Sequence, residues 1–385
     1  MKIGIDIRNI GKQRTGDEVV FFNLVRSLRN TKLYETTNKL GFSFYLFTDI
    51  TNKNRLKEIK RRFGIIDGDN FEIISLKAKN KFFWNFLTLP SYLRKNPVDI
   101  YHTQYITPFF ISKKIKIVNH IHDISFKIYS KFIKKSDLFF LNILIPMAMR
   151  RADKIIAVSE FTKNEIIKHY NTDPKKIDVV YNSTDLIKEK KDIDVGRIRK
   201  KYNLPEKFIL YVGTLQPRKN IPILIEAYVA IKKRLPEIEL VIAGDRKAHN
   251  FDKKIDEAIL KFGLSEKDII FSGFLDKEDK LTVYSLAHVL VAPSLYEGFG
   301  ITSLEAMTGS IPVLVSNIPP HREVSENAAL YFDPENLDEF KKKLYNICVD
   351  VNLRNQLVGL ESARVNFFSW EKSAKKLLEI YKSLK

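Results

Sequence analysis

Two carboxylates, Glu297 and Glu305, stand eight positions apart in the stretch Pro293-Ser294-Leu295-Tyr296-Glu297-Gly298-Phe299-Gly300-Ile301-Thr302-Ser303-Leu304-Glu305-Ala306-Met307. The apolar run Val289–Ala292 before them predicts a buried strand, and the pattern after them predicts a short helix from near Ile301. A glycine-bearing turn between strand and helix presents backbone N–H groups, here those of Phe299, Gly300 and Ile301, to a ligand, and a helix N-terminus favours negative charge. Glu297 falls in the turn, and Glu305 in or near the first helical turn. One carboxylate is placed to reach a ligand while the other accepts hydrogen bonds from a diol. An anionic group on backbone donors, flanked by two groups that bind sugar hydroxyls, is what a nucleotide-sugar requires. The same residues also suit an ordinary turn whose glutamates serve only the helix dipole, and spacing alone does not separate the two readings. A dinucleotide fingerprint fits less well. Gly298 and Gly300 make a G-x-G, but Ser303 stands at the third glycine, and the strand Pro312–Val315 runs into Ser316-Asn317 with no acidic residue for a ribose.

Pro-Ser-x-x-Glu-Gly-Phe-Gly followed by Leu-Glu-Ala-Met resembles the donor-site signature of retaining glycosyltransferases of family 4, which have the GT-B fold. Four further segments follow the family's order: Ile121-His122-Asp123, Ser159-Glu160-Phe161-Thr162, Val180-Tyr181-Asn182-Ser183-Thr184-Asp185, and Tyr211-Val212-Gly213-Thr214-Leu215-Gln216-Pro217-Arg218-Lys219-Asn220. Each is weak alone; five in order span nearly the whole chain. The resemblance implies an α/β protein of two Rossmann-like parallel-sheet domains facing across a cleft, the C-terminal one binding a nucleotide-sugar and the N-terminal one an acceptor. It implies that Arg218 and Lys219 contact the diphosphate beside Gly213, that His122 contacts the donor sugar near the reacting carbon, and that Gly16 lets a loop approach donor and acceptor. His102 and His120 look similar but lack that support. Many relatives carry a basic residue directly after the equivalent of Gly213, whereas this chain has Thr214. The match is strongest to mannosyltransferase-like members, so GDP-mannose is the first donor expected and UDP-glucose or another UDP-hexose the second. Base selectivity is expected in loops around Gly244-Asp245-Arg246 and Gly273-Phe274.

Breaking the bond between an anomeric carbon and a diphosphate puts charge on the leaving group, which a metal ion, fixed cations or a helix dipole must stabilise. Asp67-Gly68-Asp69 reads as a solvated turn, and Asp192-Ile193-Asp194 lies in a presumed linker. The expectation is therefore a metal-independent site with no cofactor beyond the nucleotide-sugar, in which Arg218, Lys219 and backbone N–H groups carry the charge. No carboxylate in the N-terminal half obviously opposes Glu297 as a nucleophile. In the family the leaving phosphate is thought to deprotonate the acceptor on the same face.

Strands are predicted at Ile3–Ile7, Phe44–Phe47, Phe71–Ile74, Ile100–His102, Ile117–Ile121, Lys154–Val158 and Asp178–Val180. A second set is predicted at Phe208–Val212, Glu239–Ala243, Ile269–Phe271, Val289–Ala292, Pro312–Val315 and Ala329–Phe332. Helical patterns such as Ile221–Arg234 and Phe251–Phe262 lie between them, which argues for parallel sheets covered on both faces. The domains are expected at 1–190 and 191–368. A last helix, 369–385, starts at Ser369 and by the resemblance packs back on the first domain.

The chain has 385 residues, long enough for two cores. Its single cysteine, Cys348, fits a reducing compartment, and Met1 runs straight into the first strand, so a cytoplasmic protein without a leader is expected. Residues 1–200 hold 39 Lys/Arg against 21 Asp/Glu, while residues 201–385 hold 26 against 25. Lys77, Lys79 and Lys81 precede Phe82-Phe83-Trp84, and Lys127, Lys131, Lys134 and Lys135 surround Phe126, Tyr129 and Phe132. Lys53, Arg55, Lys57, Lys60, Arg61 and Arg62 form a third basic cluster. Such segments suit the anionic inner face of a cell membrane and a glycan or lipid-linked acceptor. Nucleic acid would use the same charge, but no nucleic-acid-binding motif is present.

Overall fold

The computed structural model describes residues 1–11, 16–66, 68–133, 135–186, 193–247, 250–265 and 267–385. Thr15, Asp67, Lys134, Asp192 and the expected domain boundary at 190/191 lie outside them. The described residues form thirteen strands in two all-parallel sheets. The first sheet holds β1 (Lys2–Asp6), β2 (Ser43–Thr48), β3 (Phe71–Ser75), β4 (Ile100–Gln104), β5 (Lys116–Ile121), β6 (Lys154–Ala157) and β7 (Ile177–Val179). The second holds β8 (Phe208–Val212), β9 (Glu239–Ala243), β10 (Ile269–Phe271), β11 (Val289–Ala292), β12 (Val313–Ser316) and β13 (Leu330–Phe332). Their orders, β3-β2-β1-β4-β5-β6-β7 and β10-β9-β8-β11-β12-β13, are the doubly wound arrangement, each with one point where the order reverses. The expected α/β architecture of two Rossmann-like sheets is therefore present.

The second sheet shows why continuous apolar runs became strands. Side chains alternate between its faces. Phe208 and Leu210 of β8 join one core with Leu290, Ala292, Val313 and Val315. Ile209 and Tyr211 join the other with Leu240, Ile242, Val289 and Val291. Both faces are covered, so nearly every position is apolar, Glu239 and Ser316 at strand ends excepted. The helix after β8, Ile221–Lys232, buries Leu224, Ile225 and Tyr228 on the second face, whereas the helix after β11, Ile301–Thr308, buries Ala306 and Met307 on the first. The chain thus leaves β8 and β11, which are paired neighbours, toward opposite faces.

The chain divides into two compact units. One holds Met1–Ile124, Lys135–Asn182 and Ser369–Lys385; the other holds Ser125–Lys134 and Ser183–Phe368. Two placements differ from the sequence reading. The passage to the second unit falls between Asn182 and Ser183, and Asp185 is already ion-paired with Lys277 of that unit. The segment Ser125–Lys134, expected within the first domain, belongs to the second unit, where the Tyr129 hydroxyl donates to Leu295 O at 3.2 Å and its ring meets Tyr296 edge-on.

In the first unit the helix Trp370–Lys382 starts at Ser369, whose hydroxyl accepts from the Lys372 N–H at 3.1 Å. It packs along the helix Gly16–Leu28 and buries Leu377, Leu378 and Tyr381. Ser159 likewise caps the helix Glu160–Tyr170 through Thr162 N.

Candidate functional site

The reversal of order in the second sheet lies between β8 and β11, and open parallel sheets bind ligands at the carboxyl ends of strands at such a point. The loop after β8 is tightened by a single 3₁₀ turn, Pro217–Lys219, and ends at Asn220 in the left-handed region. The loop after β11 carries Ser294 to Gly300. A backbone hydrogen bond ties them, Leu295 N to Arg218 O at 2.8 Å.

Side chains complete the link. Lys219 Nζ donates to Glu297 Oε1, and Arg218 approaches Glu297 Oε2 at 3.4 Å and donates to Tyr296 O at 3.2 Å. Ser294 Oγ donates to Glu297 Oε1 at 2.7 Å. Burial alone would push the Glu297 carboxyl up. Lys219, then Arg218, outweigh it and hold the pKa at about 2. Lys219 and Arg218 thus both face this one carboxylate.

Gly300 caps the helix Ile301–Thr308 with φ +94°, and no side chain caps that N-terminus. A Cβ on Gly300 would lie 2.9 Å from His321 Cδ2. His321 is held in turn by the Ser316 carbonyl, 3.0 Å from its Nδ1. Burial keeps its imidazole neutral by lowering its pKa, against the pull of Glu297. Gly300 has no side chain to cap this helix start, and the Ser303 N–H turns back to Gly300 O at 3.2 Å.

Glu305 lies just past the first turn of this helix. Its oxygens take bonds from Lys280 Nζ at 2.6 Å and the Tyr284 hydroxyl at 2.8 Å, both from the helix Lys277–Leu286. At Gly213 an added Cβ would meet the Tyr211 hydroxyl at 2.9 Å, and that hydroxyl bonds to Thr214 O at 2.8 Å. Arg246 pairs with Asp256 and lies 4.6 Å from the Phe271 ring centre, while Phe274 is exposed.

In the first unit His122 follows β5. Its Nε2 lies 3.1 Å from Gln104 Oε1, at the end of β4, and its Nδ1 lies 3.8 Å from Asp17 Oδ1. Gly16, beside Asp17, opens the helix Gly16–Leu28, and an added Cβ there meets nothing within 4 Å. His120 stacks on His122 with ring centres 4.7 Å apart, and His102 on His120 at 5.6 Å. His102 Nδ1 reaches the Tyr381 hydroxyl at 2.6 Å. Burial, then His122, lowers the His102 pKa to about 3 and holds His120 well below its ordinary value, so both are neutral.

Residues 194–359 match the family model of the group 1 glycosyl transferases, and residues 19–188 match that of glycosyltransferase family 4. The chain belongs to this family: it is a glycosyltransferase. It is 28% identical over 284 residues to the O-antigen chain mannosyltransferase B of Escherichia coli, covering 72% of this chain and 73% of that one. It is 30% identical over 246 residues to the serotype-specific mannosyltransferase WbdA of Escherichia coli, covering 63% of this chain and 30% of that longer protein. Anabaena HepE, solved in complex with UDP and glucose, superposes with a TM-score of 0.73 over 100% of both chains at 15% identity, a likeness of fold.

In the glycosyltransferase the structure therefore groups Arg218, Lys219 and Glu297 with the Gly300 helix start. It adds Ser294, His321, Lys280 and Tyr284 in the second unit, and Asp17 and Gln104 in the first. Apart from Ser294, the serine of the Pro-Ser-x-x-Glu signature, none of these was singled out from sequence.

Proposed function

We propose that this glycosyltransferase moves a hexose, with retention and without a metal ion, from a nucleotide-sugar to a glycan or lipid-linked acceptor. We propose the work as a step of cell-surface polysaccharide or glycolipid synthesis, at the inner face of the membrane. The second unit takes the donor and the first the acceptor. GDP-mannose is the first donor, supported by the mannosyltransferases of Escherichia coli among the relatives. A UDP-hexose is the second, supported by the UDP and glucose bound to Anabaena HepE.

The observation that carries the reading is the cluster of Arg218, Lys219 and Glu297 beside an uncapped helix start at the switch point of the second sheet. As the anomeric bond breaks, charge grows on the diphosphate. Arg218, Lys219 and the N–H groups at Gly300–Ile301 are fixed in advance where that charge develops. Glu297, held ionised, accepts a sugar hydroxyl. Glu305, oriented by Lys280 and Tyr284, accepts from the ribose. The leaving diphosphate takes the proton of the acceptor hydroxyl on the same face, so no opposing nucleophile is needed.

The test is transfer from GDP-mannose to a lipid-linked acceptor in excess EDTA, with the product's anomeric configuration read by NMR. The expected product keeps the donor's configuration and forms at an undiminished rate. An inverted product, or an absolute need for Mg²⁺ or Mn²⁺, would overturn the retaining, metal-independent reading.

A further inference from the structure

The first unit carries aromatic side chains that do not enter its core. On the helix Lys135–Arg151, Phe139, Ile143 and Met147 recur every four residues and are exposed, Phe139 by 63%. Phe140, beside them, meets Phe82 edge-on at 5.4 Å between ring centres. Phe82 stacks on Phe86 at 5.9 Å, and Phe86 lies 6.3 Å from Phe110, which is 75% exposed. Leu87 adds another exposed apolar side chain. Three segments far apart in sequence thus make one continuous apolar patch, of a kind that marks an interaction surface.

Its surroundings say what covers it. Segments 77–95, 105–116 and 135–151 hold eleven Lys or Arg and one acidic residue, Asp137. A second copy of the same face would bring like charge against like. Duplex nucleic acid would satisfy the lysines but leave the phenylalanines in water. A layer with anionic heads over acyl chains satisfies both. Among the described residues no helix is long and apolar enough to cross a membrane, so the contact would be peripheral.

We propose that this face of the first unit, with Phe110 and Phe139 at its centre, docks on an anionic phospholipid bilayer. The aromatic side chains enter the boundary between headgroups and chains, and Lys79, Lys81, Lys113, Lys114 and Lys135, all exposed, meet the headgroups. The second basic cluster of the sequence takes a smaller part, since Ser125–Lys134 belongs to the other unit and Phe126 is buried. The purpose of the docking rests on the lipid-linked acceptor proposed above; the binding itself does not.

The experiment is flotation of the full chain with vesicles of phosphatidylcholine alone, or mixed with phosphatidylglycerol, at low and high salt. The protein is expected on the mixed vesicles only. It should be released as salt rises from about 0.1 to about 1 M, which shortens the Debye length from about 10 to about 3 Å. Phe110→Ser with Phe139→Ser, and separately Lys113→Glu with Lys114→Glu, should each weaken binding at least about tenfold. Their melting temperature and donor hydrolysis should match wild type. Equal binding to neutral vesicles, no binding to either, or wild-type binding by the phenylalanine variant would overturn the proposal. So would a dimer in sedimentation, or single-stranded DNA binding without vesicle binding, that the phenylalanine variant loses. Absent donor hydrolysis in the wild type would sink the transferase reading and leave the vesicle result standing.

Discussion

Glu297 accepts from Lys219 and Ser294 and faces Arg218, so its charge is both needed and held in place. Glu297→Gln should nearly abolish transfer and leave two cations poorly compensated, which costs about 1–3 kcal/mol of stability. The folded pKa of about 2 lies below the ordinary 4.5, so this carboxylate's contribution is full above pH 4.5 and is lost as pH falls toward 2. The difference is on the order of 3 kcal/mol. Urea unfolding at pH 7 and pH 3 should therefore show a steeper acid loss in wild type than in the variant; equal losses would remove the ion-pair account. Glu305→Ala should weaken nucleotide binding by on the order of 1.5–3 kcal/mol, read by calorimetry, with a smaller effect on turnover of bound donor. Unchanged affinity would take Glu305 out of the donor site. Glu297, Arg218 and Lys219 were singled out through the family resemblance, since the strand–loop–helix pattern around them suits an ordinary surface loop as well. Lys280 and Tyr284 were not. A lysine and a tyrosine four apart on a helix look like surface and core, and only folding brings them to Glu305. His102 and His120 resembled His122 in sequence for a physical reason. The three rings stack in a row, His102 on His120 and His120 on His122, and all three are buried.

The turn after β11 works because its helix starts at a residue with φ +94°. Gly300→Ala should cost about 1–2 kcal/mol for that backbone alone, and more for the contact with His321. It should also lower donor affinity by shifting the helix start. Gly16→Ala should stay within about 0.5 kcal/mol, since open space surrounds it. Thermal melts and donor binding of both variants check the contrast; a neutral Gly300→Ala would show that the turn adapts. Most strands were legible as short apolar runs, the form of a parallel strand buried on both faces, although β3 carries Glu72 and β4 carries His102 and Thr103, and the observed ends differ by a residue or two. The helix after β9 begins at Lys254 instead of Phe251, because Asp252 N is bonded to Leu215 O and pins that stretch to the loop after β8. The excursion of Ser125–Lys134 was hidden, since Phe126 and Tyr129 suit any core and the partners of Tyr129, Leu295 and Tyr296, are remote in sequence.

At the scale of the molecule, the first unit is closed by the end of the chain. Removing Ser369–Lys385 would uncover His102 and the helix Gly16–Leu28 and discard the buried Leu377, Leu378 and Tyr381. The loss of three such side chains is worth several kcal/mol, at about 1.5–3 kcal/mol each. Limited proteolysis of the truncated chain should cut the first unit while the second resists; equal resistance would mean that the helix is dispensable. The strand–helix alternation made two doubly wound units legible in the sequence. The interrupted path of the chain between them was not, because packing decides it and local pattern does not. The central claim is that the β8–β11 switch point holds a nucleotide-sugar, and donor binding and hydrolysis across a panel of nucleotide-sugars tests it most directly. The wild type should bind and hydrolyse one of them, GDP-mannose first, in the presence of EDTA. Lys219→Ala should keep its fold and lose rate, and Glu297→Gln should lose nearly all turnover. Binding of no nucleotide-sugar, or wild-type turnover by both variants, would contradict the account.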